Sequence, residues 1–363
     1  MESVQLWIFW SGLFLTAYVY VIYGILVQCI LALKKSFNKI QEEKVSITDA
    51  TLPEVTFIIA AYNEEDCIKE KLENTLSLDY PNDKLNVWLV ADGSTDQTVA
   101  IANSFNRVKI WHKDQRKGKI NAVNRVMPHV NTPITIFTDA NTFLNNKAVK
   151  ALVVPFQNTK VGVVAGEKKV ISPESDSAVG AGEGIYWRYE SWLKKADSDL
   201  NSTMGAAGEL FAIKTYLYEK IATNTLIEDF VLSMQIAAKG YKIVYAPDAV
   251  AAELPSASIV EEQKRKVRIA AGGIQSVWIL RNLLNPFKYG ILSFQFISHR
   301  ALRWTLAPLS LPFIFLSNLW LAINSLNNFY LFTFLSQLLF YTCGILFNYL
   351  QEKEIKVKIL FVP

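Results

Sequence analysis

The sequence predicts an α/β domain with a mostly parallel sheet, joined to transmembrane helices. Three observations carry this prediction. Hydrophobic residues make up 51% of the 363 residues and charged residues 19%, below the roughly 25% charge of an ordinary soluble domain. Two long stretches contain no charged side chain. Between them, short β-rich runs alternate with helical patterns, an order typical of α/β domains.

Charge and cysteine content argue against several classes of protein. The net charge is only +4, with no long basic tract, so we expect no nucleic-acid partner. The three cysteines, Cys29, Cys67 and Cys343, and the three histidines are widely separated along the chain. The sequence therefore predicts neither a disulfide framework nor a histidine-based metal site.

Residues 4–33 form the first charge-free stretch. A helix of this length spans about 45 Å, which exceeds the roughly 30 Å of bilayer hydrocarbon. A cleaved signal peptide fits less well, because no basic segment precedes the run, the run is too long and no A-x-A site closes it. We therefore predict an N-terminal transmembrane signal anchor over 4–33.

The second charge-free stretch, residues 304–350, is too long for one membrane crossing. Asn324 and Asn327 interrupt it near the middle, which predicts two transmembrane helices over 301–350. Just before them, apolar residues recur at helical spacing, and this pattern predicts an interfacial helix over 286–299.

Lysines follow the first and the last predicted membrane helices, whereas the turn between the last two helices carries no charge. The positive-inside rule then places the α/β domain and a tail over 351–363 on the cytoplasmic side of a plasma membrane or bacterial inner membrane. The last residues turn apolar again, which leaves open whether the chain ends here.

Six segments in the middle of the chain have the β-branched, apolar composition of strands. They are Val55–Ala60, Asn86–Ala91, Val108–Trp111, Pro133–Thr138, Val161–Ala165 and Lys242–Tyr245. Helical patterns lie around 64–76, 96–104 and 118–127. In sheets of this kind ligands bind beyond the carboxyl ends of the strands, so a functional site is expected there.

Three of these strand ends are unusually polar. They carry Asn63 and Glu64 after the first strand, Asp92 with Ser94 after the second, and Asp139 after the fourth. Each group taken alone could simply cap a helix or form a turn. Because all three fall at one edge of the predicted sheet, together they favour a binding site.

The usual nucleotide-binding fingerprints are missing, since no G-x-G-x-x-G follows a strand and no G-x-x-x-x-G-K-[ST] occurs. Carboxylates at strand ends instead suit a divalent cation that holds phosphate oxygens. Lys117, Gly118 and Lys119 begin the next helical pattern. They would place positive charge beside a phosphate, or form a solvated basic turn.

Two charged motifs lie further along the chain. Glu228 and Asp229 precede a helical run, where they could complement the helix dipole or supply a general base. The segment Gln263–Arg268 contains four cations. It could be a basic helix at the membrane surface or a clamp on a diphosphate leaving group, and composition does not separate these alternatives.

Taken in order, these motifs resemble the membrane-bound family 2 glycosyltransferases, which include hyaluronan, chitin, cellulose and poly-N-acetylglucosamine synthases. The resemblance covers roughly residues 50–280. It rests on Ala61–Glu64, Asp92–Ser94, Lys117–Lys119 with Asn124, Asp139 with Asn141, Glu228 with Asp229, and Gln263–Arg268.

The resemblance implies a GT-A fold, which is Rossmann-like, a nucleotide-sugar donor, most simply a UDP-sugar, and inversion at the anomeric carbon. It also assigns roles by position. A divalent Mg²⁺ or Mn²⁺ would lie at Asp139 and Asn141, Asp229 would be the general base with Glu228 beside it, and Gly205 and Gly208 would line the acceptor side. The implied nucleotide-sugar contacts are Ala61, Tyr62, Asn63, Glu64, Asp92, Lys119, Asp139, Gln263, Arg265 and Arg268.

The sequence departs from the family pattern at three places. The D-x-D motif has an amide at its second position, Asn141, and Ala91 precedes Asp92 where members often carry a second acid. The Q-x-x-R-W motif has Lys266 and Val267 in place of Arg and Trp. In the polymerising members that Trp stacks near the acceptor sugar, so its loss argues against processive polymerisation and less against transfer itself.

The resemblance implies either a growing polysaccharide or a lipid-linked sugar as acceptor, with a slight preference for the polysaccharide, and it leaves partner subunits open. A second hypothesis is a catalytically inactive membrane partner or sensor that binds a nucleotide-sugar. Asn141 and the altered basic motif motivate it, whereas the intact pair Glu228 and Asp229 argues against it, because binding alone needs no base.

Overall fold

The computed structural model describes residues 2–37, 51–170, 178–253 and 259–352. The chain folds into two compact units. One consists of Met1–Cys29, Pro173–Leu193 and Ile297–Pro363, and the other of Ile30–Ser172 and Lys194–Phe296. The described elements, in chain order, are α1 (Glu2–Ala17), α2 (Tyr23–Phe37), β1 (Val55–Ala61), α3 (Ile68–Leu76), β2 (Leu85–Asp92), α4 (Thr98–Asn103), β3 (Val108–Lys113), α5 (Lys119–Val126), β4 (Ile134–Asp139), β5 (Thr142–Leu144), α6 (Ala148–Val153), β6 (Val161–Val170), α7 (Ala178–Leu200), β7 (Leu210–Lys214), α8 (Glu228–Ala238), β8 (Lys242–Glu253), α9 (Ile259–Ile279), α10 (Pro286–Tyr289), α11 (Ile291–Gln295), α12 (Leu302–Trp304), α13 (Leu306–Asn324) and α14 (Asn328–Glu352).

The described strands form one sheet in the order β3-β2-β1-β4-β7-β6-β8-β5. Strands β3, β2, β1 and β4 pair in parallel. Beyond β4 the sheet is mixed, because β7 runs antiparallel to β4 and β6, while β6 and β8 are parallel. The predicted α/β fold is confirmed, with a sheet that is parallel around β1 and mixed beyond β4.

The parallel half has the sequence of strands that are buried on both faces. β1 is a nearly continuous apolar run, and Phe57 and Ile59 are fully buried, as expected where helices cover a parallel sheet. Leu72 of α3 and Leu152 of α6 belong to the same core cluster. This core holds the ends of β1, β2 and β4 at one edge.

The sequence pattern does not predict strands β5 and β7. β5 has only three residues and pairs with the end of β8, where Thr142 lies opposite Glu253. β7 is a five-residue strand between β4 and β6. Both are short and depend on partners far away in sequence, which is information that local periodicity does not contain.

The other unit is mainly helical. Phe9 of α1 packs in one cluster with Ile314 and Leu321 of α13 and with Tyr330 of α14. Among the described residues, three helices are long and apolar enough to cross a membrane: Glu2–Ser36, Leu306–Asn324 and Asn328–Leu346.

The region predicted as one interfacial helix over 286–299 is divided. α10 ends at Tyr289, and Gly290 follows with φ +53° before α11 begins. A positive φ is a conformation that glycine adopts without steric cost, so this glycine separates the two helices. The predicted tail over 351–363 lies mostly outside the described residues, because the description ends at 352.

Candidate active site

The site lies where β1, β2 and β4 end side by side. In the parallel register, Ala61 lies opposite Ala91, and Ala60 lies opposite Asp139. The residues that follow these strands therefore emerge at a common edge. This pairing brings together the three polar strand ends that the sequence singled out.

The loops after β1 and β2 are joined by hydrogen bonds to Asn63 and Glu64. The Asn63 Oδ1 atom accepts from the Thr95 backbone N–H at 2.9 Å, and the Ser94 hydroxyl accepts from the Asn63 N–H at 3.2 Å. The Thr98 hydroxyl accepts from the Glu64 N–H at 2.8 Å. Asn63 and Ser94 therefore connect two loops instead of capping helices.

Tyr62 is covered by a residue that sequence reasoning missed. The Arg116 guanidinium lies 3.6 Å from the centre of the Tyr62 ring, a cation–π contact. Gly93 permits this arrangement, because its φ is +73° and a β-carbon built there would lie 2.6 Å from the Arg116 backbone nitrogen. Arg116 had no signal in the sequence beyond its place in a basic turn.

Asp92 holds the loop that leads into α5. Its buried carboxylate accepts through Oδ2 from the backbone N–H groups of Lys117 and Gly118, at 2.9 and 2.5 Å. Charge-assisted bonds of this kind are roughly twice as strong as neutral ones. Asp92 thus fixes the loop immediately before Lys119.

Lys119 lies among three carboxylates. Its Nζ atom is 2.6 Å from Asp139 Oδ1 and 3.5 Å from Glu228 Oε1. A β-carbon built at Gly208 would lie 3.3 Å from this nitrogen and 3.4 Å from Asp229 Oδ2. Any side chain at Gly208 would crowd these groups. The structure therefore brings Asp139, Lys119, Glu228 and Asp229 together around a glycine.

The electrostatics of this cluster shift two ionisation equilibria. Burial first, and the neighbouring Glu228 charge second, raise the pKa of Asp229 to about 7, although Lys119 opposes the shift. Burial alone would lower the pKa of Lys119, but Asp139 and Glu228 raise it instead. Lys119 therefore stays cationic, whereas Asp229 can exchange a proton near neutral pH.

The 205–208 loop, which the resemblance assigns to the acceptor side, is docked on α8. Gly205 has φ +85°, and a β-carbon there would lie 2.1 Å from the Phe230 ring. The Ser233 hydroxyl accepts from the Ala206 N–H at 2.9 Å. Because Phe230 follows Asp229 directly, this packing fixes Gly208 relative to the carboxylate of Asp229.

The comparisons with known proteins agree with this geometry. Residues 56–222 match the model of glycosyl transferase family 2. The chain is 27% identical over 272 residues to a poly-beta-1,6-N-acetyl-D-glucosamine synthase of Staphylococcus aureus (strain MSSA476), covering 70% of this chain and 62% of the relative. It is 26% identical over 247 residues to the synthase of Staphylococcus epidermidis, covering 66% and 58%.

Residues 56–222 therefore match a glycosyl transferase family 2 domain, and we call this region the glycosyltransferase domain. The chain spans about three fifths of the length of the curated relatives it matches. A mannosyltransferase from Pyrobaculum calidifontis, solved with GDP-Man and Mn²⁺, has the same fold, with a TM-score of 0.68 and 23% identity, covering 89% of this chain and 87% of that one. The GT-A-like fold of the glycosyltransferase domain is thereby confirmed.

The β4–β5 turn of the glycosyltransferase domain is the place to test for a divalent cation. Asp139 offers one carboxylate, and Asn141 follows with its amide nitrogen bonded to Glu253 Oε1 at 3.0 Å. Within the described ranges, no three His, Cys, Asp or Glu side chains cluster as a metal site. Mg²⁺ is usually bound by one or two carboxylates plus substrate phosphates, so the turn fits an ion that binds together with a diphosphate.

The basic motif of α9 is described apart from the cluster around Lys119. Gln263 and Arg268 are exposed on this helix, while its C-terminal half contacts the loop before α8. There the Gln275 side chain accepts from the Leu226 N–H and donates to the Asn224 carbonyl, both at 2.9 Å. The nucleotide-sugar contacts of Gln263, Arg265 and Arg268 stay predictions, and Gln275 is a residue that the motifs did not indicate.

Asn124, which the family motif includes, has a structural role. Its amide binds the Tyr218 hydroxyl at 2.8 Å and both backbone groups of Ile221. These contacts hold the 218–221 segment against α5.

A cavity of about 670 Å³ lies at the opposite edge of the sheet, lined in part by Pro53, Thr132 and Phe156. It contains none of the predicted site residues.

Proposed function

We propose that the glycosyltransferase domain transfers a sugar from a nucleotide-sugar, in the first instance a UDP-sugar, to an acceptor hydroxyl with inversion. The observation that carries this proposal is the meeting of Asp139, Lys119 and Asp229 around Gly208. The Asp139 carboxylate suits a divalent cation, and the Asp229 carboxylate has a pKa suited to a general base. A site for binding alone would need no such base.

The reaction forms a bond between the acceptor oxygen and the anomeric carbon and breaks the bond from that carbon to the diphosphate oxygen. Asp229 accepts the acceptor proton, and its raised pKa of about 7 lets it hold that proton at neutral pH. The cation of Lys119 stabilises the negative charge that develops on the leaving diphosphate. Gly208 leaves room for the reacting groups.

A bound Mg²⁺ or Mn²⁺ would be held by Asp139 and Asn141 and would supply further neutralisation of the diphosphate charge. The nucleoside would lie on the loops after β1 and β2, against Ala61, Tyr62, Asn63, Glu64 and Asp92. Gln263, Arg265 and Arg268 would then approach from α9. Burial, followed by the charge of Asp139, raises the pKa of Glu64, so a cation nearby would favour its ionised form.

For the acceptor, we propose a growing polysaccharide, with a lipid-linked sugar as the alternative. The synthases that the chain matches are named for a polymer product, which supports the first, whereas Val267 in place of the family Trp supports the second. The enzyme would act at a bacterial inner membrane or plasma membrane, with the glycosyltransferase domain on the cytoplasmic side. The lysines after the first apolar helix support this orientation.

Nucleotide release tests the proposal. The 363-residue chain, purified in detergent, is incubated with a panel of UDP-, GDP- and TDP-sugars and Mg²⁺ or Mn²⁺. Asp229→Asn is measured beside it, with the exposed Asp83→Asn as a matched control. We expect release from one donor, its loss in Asp229→Asn and full activity in Asp83→Asn.

Other outcomes separate the hypotheses. Tight nucleotide binding without release from any donor would replace transfer by the inactive partner or sensor. Release that survives Asp229→Asn would remove Asp229 from the role of base. Sizing the product by chromatography would then distinguish a polymer from a single addition.

A further inference from the structure

The second position of the Asp139–Asn141 turn has a specific neighbour. The Asn141 side-chain nitrogen donates to Glu253 Oε1 at 3.0 Å. The contact follows from strand pairing, because Thr142 of β5 lies opposite Glu253, the last residue of β8. The two residues are thus placed together by the backbone register and not only by side-chain rotamers.

This neighbour determines which way the amide faces. An ionised carboxylate only accepts hydrogen bonds, whereas an amide has a donating and an accepting end. Amide orientation is inferred from such partners. Glu253 therefore selects the NH₂ group of Asn141, and the amide oxygen is turned away from Glu253.

Glu253 is itself held in place. Lys168, which is 7% exposed, makes ion pairs with Glu253 and with Glu209, the latter at 2.5 Å. Lys168 lies on β6 beside β8, and Glu209 directly follows Gly208. One lysine thus balances two glutamates that adjoin the reaction site.

The charge balance explains why an amide stands at position 141. An aspartate there would add a third carboxylate to the pair Glu209 and Glu253, about 3 Å from Glu253, and two carboxylates that close cannot both ionise without a large shift in pKa. Lys168 is already shared between two acids. The negative charge that the family places in its D-x-D motif has a counterpart here at Glu253.

The backbone of the turn is fixed separately. The fully buried Lys71 ammonium donates to the Thr138 hydroxyl at 2.9 Å and to the Thr142 carbonyl at 2.6 Å, on either side of Asp139 and Asn141. Because Lys71 holds the backbone of the turn, the position of the Asn141 amide oxygen depends on the orientation of the Asn141 side chain.

We propose that Glu253, held by Lys168, is a positioning residue that turns the Asn141 amide oxygen toward the donor diphosphate and its divalent cation. This inference rests on the proposed function. It makes Asn141 and Glu253 a coupled pair, in which an amide at one position requires the carboxylate at the other.

A double-mutant cycle tests this coupling. Mn²⁺-dependent binding of UDP and of GDP is measured by calorimetry on the 363-residue chain for Asn141→Asp, Glu253→Gln and the double variant, with melting temperatures alongside. The exposed Asn106→Asp is the control for an added negative charge. We expect about tenfold weaker binding in Asn141→Asp, which corresponds to roughly 1.4 kcal/mol. The double variant should return to within about threefold of wild type, because it moves the carboxylate without changing the net charge.

Two results of the mutant cycle would overturn the proposal. One is an Asn141→Asp variant that binds Mn²⁺ and nucleotide as tightly as wild type. The other is a double variant whose loss equals the sum of the single losses. If the wild-type chain binds Mn²⁺ and nucleotide but releases none from any sugar donor, the proposed function fails, while the cycle still decides the role of Glu253. A wild-type chain that binds no nucleotide with Mn²⁺ overturns both.

Discussion

The two sides of the strand-end site are held by different kinds of contact. On the side where we propose that the nucleotide binds, formed by the loops after β1 and β2, side-chain oxygens accept from backbone N–H groups, as Asn63 does from Thr95 and Asp92 from Lys117 and Gly118. On the side where we propose that transfer occurs, formed by the β4–β5 turn, the 205–209 loop and the start of α8, Lys119 and Lys168 pair with carboxylates. Hydrogen bonds to the backbone therefore hold the first side, the nucleotide side, and ion pairs hold the second, the reaction side.

This difference predicts that mutations on the two sides will have different kinetic effects. Loop contacts of the first kind act on ground-state binding, so their loss should raise KM. The ion-paired charges lie where charge is proposed to develop during the reaction, so their loss should lower kcat. Asp229→Asn and Gly93→Ala test this division directly.

The largest effect is expected for Asp229→Asn on the reaction side. A positioned general base contributes about 10²–10⁴-fold, so kcat should fall by that factor while nucleotide affinity changes little. Steady-state kinetics together with calorimetry measure both quantities. An equal loss of nucleotide binding would show that Asp229 holds the donor.

On the nucleotide side, Gly93→Ala should weaken nucleotide binding by about tenfold. The new β-carbon would lie 2.6 Å from the Arg116 backbone at a φ of +73°, and strain of this kind costs about 1–3 kcal/mol. The variant should raise KM and leave kcat near wild type. Gly240→Ala is a matched control, because its φ is +94° but no atom lies within 4 Å of the added β-carbon.

Lys71 beneath the β4–β5 turn should make the stability depend on pH. Burial lowers its pKa to about 7, so between about pH 7 and its ordinary value near 10.5 the unfolded chain binds more protons than the folded one. Stability should therefore rise with pH in this window, by at most about 1.4 kcal/mol per pH unit. Between pH 7 and 9, the melting temperature of Lys71→Met should rise less with pH than that of the wild type.

The exposed Lys69→Met on the same helix is the control for that experiment. It should keep the wild-type slope of melting temperature against pH. An unchanged slope in Lys71→Met would mean that Lys71 stays charged in the folded protein, and that its hydrogen bonds to the turn outweigh the cost of burial.

The smallest effect concerns the pH profile of transfer. Because Asp229 must be deprotonated to act, kcat should rise as pH increases toward about 7 and level off above it. Glu228 is the second cause of the raised pKa, after burial. Glu228→Gln should therefore move the rise in kcat to lower pH. The shift should be small, because burial of Asp229, the larger cause of its raised pKa, remains. A shift to higher pH would contradict the assignment of Asp229 as the base.

Much of this site could be predicted from local sequence. Asn63, Asp92, Asp139 and Asp229 each follow an apolar run or open a helix, and such positions are visible without a structure. The residues that the sequence missed share another property. Arg116, Lys71, Lys168, Glu253 and Gln275 act through contacts across the sheet or between loops, to which periodicity and motif spacing are blind.

The sequence alone determined the α/β order, the parallel strands around β1, the charge-free segments and the family resemblance, because each depends on patterns within a few tens of residues. Only the tertiary structure decided that β5 and β7 complete a mixed sheet and that Lys119 and Asp229 meet beside Gly208. It also decided that Glu253 faces Asn141. These features depend on strand register and burial, and a single sequence contains neither the partner of a strand nor the dielectric surroundings of a charge.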